Sequence, residues 1–117
     1  MIYLNSNGVI KLKEEIEDYI NFTIFEKRLS KNTVNSYKED LIKYEEYLKS
    51  KKITKVDNIN THDIEKYLIY LKDNEYSITS IARKLTTIKN FHNYLFNKQI
   101  IKKDVSQTIE RPKIKKT

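Results

Sequence analysis

One glycine, Gly8, and one proline, Pro112, are all that 117 residues contain, and both lie near the ends. Between them no residue interrupts a helix by its own chemistry. A β-rich fold needs glycine and proline at its turns, so this scarcity predicts an all-α fold. Apolar spacing agrees. Over 11–28 the stripe is Leu12, Ile16, Tyr19, Ile20, Thr23 and Ile24, one face of an amphipathic helix. Ser30 caps a second helix over 31–51, with Val34, Tyr37, Leu41, Tyr44 and Leu48 inward. In the connection 52–60, Ile53, Val56 and Ile59 tuck in. A third helix, 62–73, carries Ile64, Tyr67, Leu68 and Leu71. Ser77 caps a fourth over 78–98, whose stripe is Ile78, Ile81, Leu85, Ile88, His92 and Leu95, widened by Phe91 and Phe96. A short fifth helix is expected over 104–109, ended by Pro112.

The expected architecture is a compact four-helix bundle-like domain over 11–110. An irregular lead-in, 1–10, precedes it and a basic linker, 111–117, follows. Hydrophobic content is only 38%, but the apolar residues are large and periodic, which argues against disorder. With no cysteine, neither a disulfide nor a thiolate metal site is expected. No apolar run is long enough to span a bilayer, and 1–10 does not read as a signal peptide. A cytoplasmic protein without membrane contact is the expectation.

A search for catalytic chemistry finds none. His62 and His92 have no ligand-spaced partner; His62 reads as solvated and His92 as a packed core residue. A lone glycine allows neither a phosphate loop nor a nucleophile elbow. No catalytic residue, metal ligand or cofactor site is expected.

Charge is more informative. The net is +7, yet residues 77–117 alone carry +8, and no acid occurs from 77 to 103. Such asymmetry points to a polyanion, most often nucleic acid. Two helix starts sharpen this. At the first, free backbone N–H groups favour a phosphate. Lys31, Asn32, Thr33 and Ser36 add donors there, and Lys43 extends the polar face. At the second, Thr79, Ser80, Arg83, Lys84, Thr87 and Asn90 read as an outward set of short polar and basic side chains, suited to a major groove, and Ser77 at the cap and Lys89 join them as expected DNA contacts.

The same segments carry a resemblance. Leu29-Ser30-Lys31-Asn32-Thr33, Tyr37 and Asp40-Leu41 are followed by Tyr44, Tyr47 and Leu48. Then come Ser77, Ser80, the run from Arg83 to Lys89, Phe91-His92 and Leu95, with Asp104-Val105 and Pro112-Lys113 further on. Together they resemble the N-terminal core-binding (SAM-like) domain of Xer-type tyrosine recombinases and phage integrases, over about residues 12–113. Lys89 stands where that family usually has Arg, His92 where it has an aromatic, and Val105 where it has Pro. Lys89 keeps the charge but lacks the bidentate fork.

The resemblance implies a domain that clamps one face of a recombination-site duplex. The helices at 31–51 and 78–98 would face the DNA, and the far side would help recombinase subunits meet. The catalytic Arg, Lys, His and Tyr would belong to a second domain beyond the linker. Five to seven phosphate contacts would give a log–log salt slope of roughly −5 to −6. Two other readings stand beside it: a stand-alone helical adaptor for an acidic protein, and a truncated occupant of recombination sites that does not cut.

Overall fold

A computed structural model describes residues 11–112. The expected lead-in, 1–10, and most of the expected basic linker lie outside the described residues. Four α-helices follow one another: α1 (Leu12–Phe25), α2 (Lys31–Ser50), α3 (Thr61–Asp73) and α4 (Ile78–Asn97), with a 3₁₀ turn at Val56–Asn58 between α2 and α3. The all-α reading holds, and each helix lies within a few residues of its expected bounds.

The α2 and α4 helices form the centre; α1 packs against both on one side and α3 against both on the other. Leu12, Leu41, Tyr44, Leu48, Ile64, Leu85, Phe91 and Leu95 are almost entirely buried between them. A hydrogen bond of 2.9 Å between Tyr44 Oη and His92 Nε2 ties α2 to α4 inside the core. The first N–H of α1 is taken by the Thr54 carbonyl at 2.9 Å, which anchors that helix to the α2–α3 connection.

Three helices end in one way, without glycine. Ile53, Tyr76 and Ile100 each return an N–H to the carbonyl five residues back, on Leu48, Leu71 and Leu95. This is the outer bond of a Schellman cap, and an apolar contact between those two positions usually accompanies it. The three leucines are buried. The left-handed residue each cap requires is Lys52, Glu75 or Gln99, at φ 64°, 65° and 62°. The chain thus turns sharply three times with side chains that disfavour that conformation.

The short fifth helix expected over 104–109 does not form. The Asp104 carboxylate accepts from the Ser106 N–H at 2.9 Å and from Ser106 Oγ at 2.6 Å. Such a local side-chain acceptor competes with the helical ladder. Two turns result, closed by Gln107 N–H on Asp104 and Ile109 N–H on Ser106. Ile109 then covers the core.

Candidate nucleic-acid interface

The starts of α2 and α4 are built alike. Ser30 Oγ accepts from the Thr33 N–H at 3.2 Å, and Ser77 Oγ accepts from the Ser80 N–H at 3.1 Å. Each serine hydroxyl also donates to the side-chain oxygen three residues on, at 2.9 Å to Thr33 and 3.1 Å to Ser80. Each cap satisfies one orphan donor, leaving the N–H groups of Lys31 and Asn32, and of Ile78 and Thr79, without an intrahelical partner. Neither helix has an acid in its first turn, whereas α1 opens with Glu14 and Glu15 and α3 with Asp63. The positive ends of α2 and α4 are therefore the two that no carboxylate of their own neutralises.

Around these ends Lys31, Asn32, Ser36, Ser77, Thr79 and Arg83 are exposed, and Thr33, Lys43 and Ser80 are half-buried. Lys43 reaches across from α2 to the start of α4, its ammonium 5.9 Å from the Tyr76 ring. It also lies 3.6 Å from Glu39 in an exposed pair one turn away.

Three residues expected on this surface are elsewhere. Lys84 and Thr87 are buried, 3% and 1% exposed. Both turn toward α2, where a single carboxylate, Asp40, receives them. Lys84 Nζ donates to Asp40 Oδ1 at 3.1 Å and Thr87 Oγ1 to Oδ2 at 3.0 Å. Arg83 Nη1 donates to the same Oδ2 at 2.7 Å. Lys84 also stands 5.3 Å from the centre of the Tyr76 ring. The third, Lys89, donates to the Ile109 carbonyl, which pins the C-terminal turns to α4.

Asp40 is the residue that reasoning from sequence missed. A signal for it exists. Asp40 falls three residues after Tyr37 and four before Tyr44; Lys84 falls three after Ile81 and four before Ile88. Each sits on the apolar stripe of its helix, and the two are of opposite sign. A buried charge needs a paired and hydrogen-bonded partner, and each supplies the other's. Their neighbour Arg83 remains half exposed, its side chain 51% accessible, with one N–H held by Asp40 and the rest of its fork free.

The outward stripe of α4 is therefore Thr79, Arg83, Thr86, Asn90, Asn93 and Asn97, spaced by four and three. Thr86 is half-buried; the other five are exposed. The stripe carries no acid. At its C-terminal end it borders a cleft of about 320 Å³ walled by Tyr19, Phe22, Tyr37 and Tyr94 and rimmed by Lys27 and Lys98. Both lysines stand over the Phe22 ring, at 5.9 and 5.6 Å. Because Tyr37 of α2 and Asn90 of α4 line the same cleft, the opening turns of α2 lie beside the middle of α4.

The perturbed titratable groups do not assemble a reaction centre. Burial lowers the His92 pKa to about 4, so the ring is neutral at pH 7. Its Nδ1 has no hydrogen-bond partner among the described residues. Burial drives Tyr44 well above its ordinary range. Burial, then Asp18 and Glu14, raise Glu15 to about 7. His62 is exposed, 3.7 Å from Glu65. Among the described residues no three His, Cys, Asp or Glu side chains gather as metal ligands, and no helix is long and apolar enough to cross a membrane.

The family described as phage integrase, N-terminal SAM-like domain, matches residues 16–99. Tyrosine recombinase XerD of Staphylococcus epidermidis is 41% identical over 101 residues, covering 86% of this chain and 34% of the relative. Tyrosine recombinase XerD of Oceanobacillus iheyensis is 41% identical over 103 residues, covering 87% of this chain and 35% of the relative. The chain thus spans about a third of these relatives' length. The crystal structure of the N-terminal domain of a phage integrase/site-specific recombinase from Haloarcula marismortui superposes with a TM-score of 0.81 at 15% identity. That match covers 89% of this chain and 98% of the other. At that identity the match speaks for the fold.

Proposed function

This chain belongs to the phage integrase N-terminal SAM-like domain family, and we propose that it grips one face of a double-stranded recombination site on behalf of a tyrosine recombinase. The chemistry of strand cleavage would reside in a separate catalytic domain. Other recombinase subunits would be partners once the full-length protein assembles on DNA.

The observation that carries this reading is the pair of serine-capped helix starts. Free N–H groups, hydroxyls and a cation converge at each, joined at the α2 start by the Asn32 amide, and neither has an acid in its first turn. Lys31, Asn32, Thr33 and Ser36 hold phosphate at the α2 start. Ser77, Thr79 and Ser80 do so at the α4 start, with Lys43 reaching over from α2. Arg83 extends from the stripe between them. Phosphate contacts of this kind set position and register, while base contacts set sequence. Asp40, Lys84 and Thr87 act from behind, fixing α2 against α4 and hence one helix start against the other.

With Lys84 buried and Lys89 engaged, the cations left to this face are Lys31, Lys27 and Lys98, together with Lys43 in its exposed pair with Glu39 and Arg83 held on one side by Asp40. Three to five phosphate contacts correspond to a log–log salt slope of roughly −3 to −5, shallower than a count of all basic residues suggests. The test is fluorescence anisotropy on a mixed-sequence duplex of about 30 base pairs across a salt series. Lys31→Ala/Arg83→Ala is the informative variant, because both side chains are exposed. Steep salt dependence, with binding weakened and the slope reduced by roughly 1 to 2 in the variant, supports the reading. Absence of binding at low salt, or a slope indifferent to both residues, refutes it.

A further inference from the structure

We infer that Arg83 and Asn90 are the base-reading pair of this domain, selecting a guanine and an adenine about three base pairs apart in one major groove. The inference rests on the DNA-binding reading above and adds to it the site preference.

Four features of α4 single out these two residues. First, both lie on its outward stripe, with Asn90 exposed and Arg83 half exposed. Second, the neighbours that share the stripe are committed or indifferent. Thr86 Oγ1 donates to the Ala82 carbonyl at 3.0 Å, and Asn97 Nδ2 donates to Asn93 Oδ1 at 3.0 Å. Thr79 is a lone hydroxyl, which can pair with either kind of base edge and so discriminates little. Third, Arg83 is held in place. Its bond of 2.7 Å to buried Asp40 orients the guanidinium from behind, so part of the cost of ordering it is met before DNA arrives. The Asn90 amide makes no hydrogen bond within the described residues, leaving donor and acceptor both available. Fourth, each reader has an anchor beside it. The start of α4, with Lys43 and Tyr76, flanks Arg83; the opening of α2 flanks Asn90, since Tyr37 shares its cleft.

The chemistry then sets the bases. An arginine fork matches O6 and N7 of guanine, and a side-chain amide matches N6 and N7 of adenine. Seven residues separate the two positions, about 10 Å along a helix rising 1.5 Å per residue. That is the span of about three base pairs at 3.4 Å each. No acid lies on the stripe to repel the phosphates on either wall.

Selection from a pool of duplexes with a random core of about ten base pairs tests this at low salt. The chain should enrich a guanine and an adenine at that spacing. Arg83→Lys keeps the charge beside Asp40 but loses the fork, and should relax the guanine preference about tenfold. Asn90→Ala, on an exposed helical position, should relax the adenine preference about tenfold and leave the other intact. Affinity of Asn90→Ala for the unselected pool should stay within about threefold. Salt-dependent binding to the pool with no base enriched, or enrichment unchanged by both substitutions, would overturn the inference and leave DNA binding standing. No binding to the pool by the unsubstituted chain would overturn both.

Discussion

Asp40→Ala should disrupt this fold as severely as the loss of a large core side chain. The Asp40 side chain is 1% accessible and that of Lys84 is 4%, so truncating the acid leaves an ammonium in the interior without its counter-charge. Breaking one partner of such a pair costs about 3–5 kcal/mol. The other two donors add little. Thr87 keeps the Arg83 carbonyl at 3.3 Å, and Arg83 is exposed enough to recover water, which limits its share to about 1 kcal/mol or less. Lys84 therefore carries the penalty, and that fixes the rest of the experiment. Lys84→Met alone should cost about 1 kcal/mol or less, because Asp40 retains Arg83 and Thr87. In the Asp40→Ala background the same change should recover about 2–3 kcal/mol. Urea unfolding followed by circular dichroism gives all four corners of the cycle. At about 4 °C per kcal/mol, Asp40→Ala alone should lower Tm by roughly 12–20 °C, severe against a total of about 5–15 kcal/mol. A loss below about 1 kcal/mol, or no recovery in the double variant, would show that the pair is solvated and the reasoning wrong.

Glu15 should make stability depend on pH. Its pKa is raised from 4.5 to about 7, so the folded chain holds this proton more tightly than the unfolded one. The contribution is full below about pH 4.5 and is lost as pH rises through about 7. Glu15→Gln should accordingly stabilise by roughly 1–3 kcal/mol at pH 8 and make little difference at pH 4.5; a gain of equal size at both would contradict the assignment. Glu75→Gly should raise stability by about 0.5–1 kcal/mol in thermal unfolding, because φ at 65° suits glycine; destabilisation would argue against the left-handed cap. Ser77→Ala should cost about 1 kcal/mol by the same measurement through loss of the α4 cap, and an unchanged Tm would count against that cap.

The helices were legible because their evidence is periodic and local. Leu12, Ile16, Tyr19 and Ile20 mark the inner face of α1 in any context, and Ser30 and Ser77 are good caps wherever an apolar stripe follows. The fifth helix failed on a contact that spacing does not display, the Asp104 carboxylate taking the Ser106 N–H. Of the expected surface, the exposed polar set at the two helix starts was legible in the sequence, whereas the middle of α4 was not. Lys84 and Thr87 were assigned outward because they are polar, although Lys84 continues the stripe running from Ile81 to Ile88. The correct assignment depended on a carboxylate 44 residues away, and such a pair becomes visible only when the stripes of two helices are read together. Glu15 is a second case, a carboxylate three residues after Leu12 and four before Tyr19, and so on the buried stripe of α1 by the same spacing.

Adjacent residues on α4 thus divide two tasks around one acid. Arg83 and Lys84 differ by about 100° in direction around the helix, so a single carboxylate can hold one from behind and bury the other. The arrangement has a physical consequence for an interface made of two helices. Phosphates on the walls of a groove are fixed in spacing, and α2 and α4 can each meet one only if their relative rotation and slide are fixed too. Apolar contacts alone hold such a pair loosely in rotation, since leucine and isoleucine faces repack at small cost. Three hydrogen bonds converging on Asp40 do not slide. The buried charge is therefore better understood as fixing the geometry of the surface in front of it than as a source of stability, for which a well-packed apolar pair would serve as well.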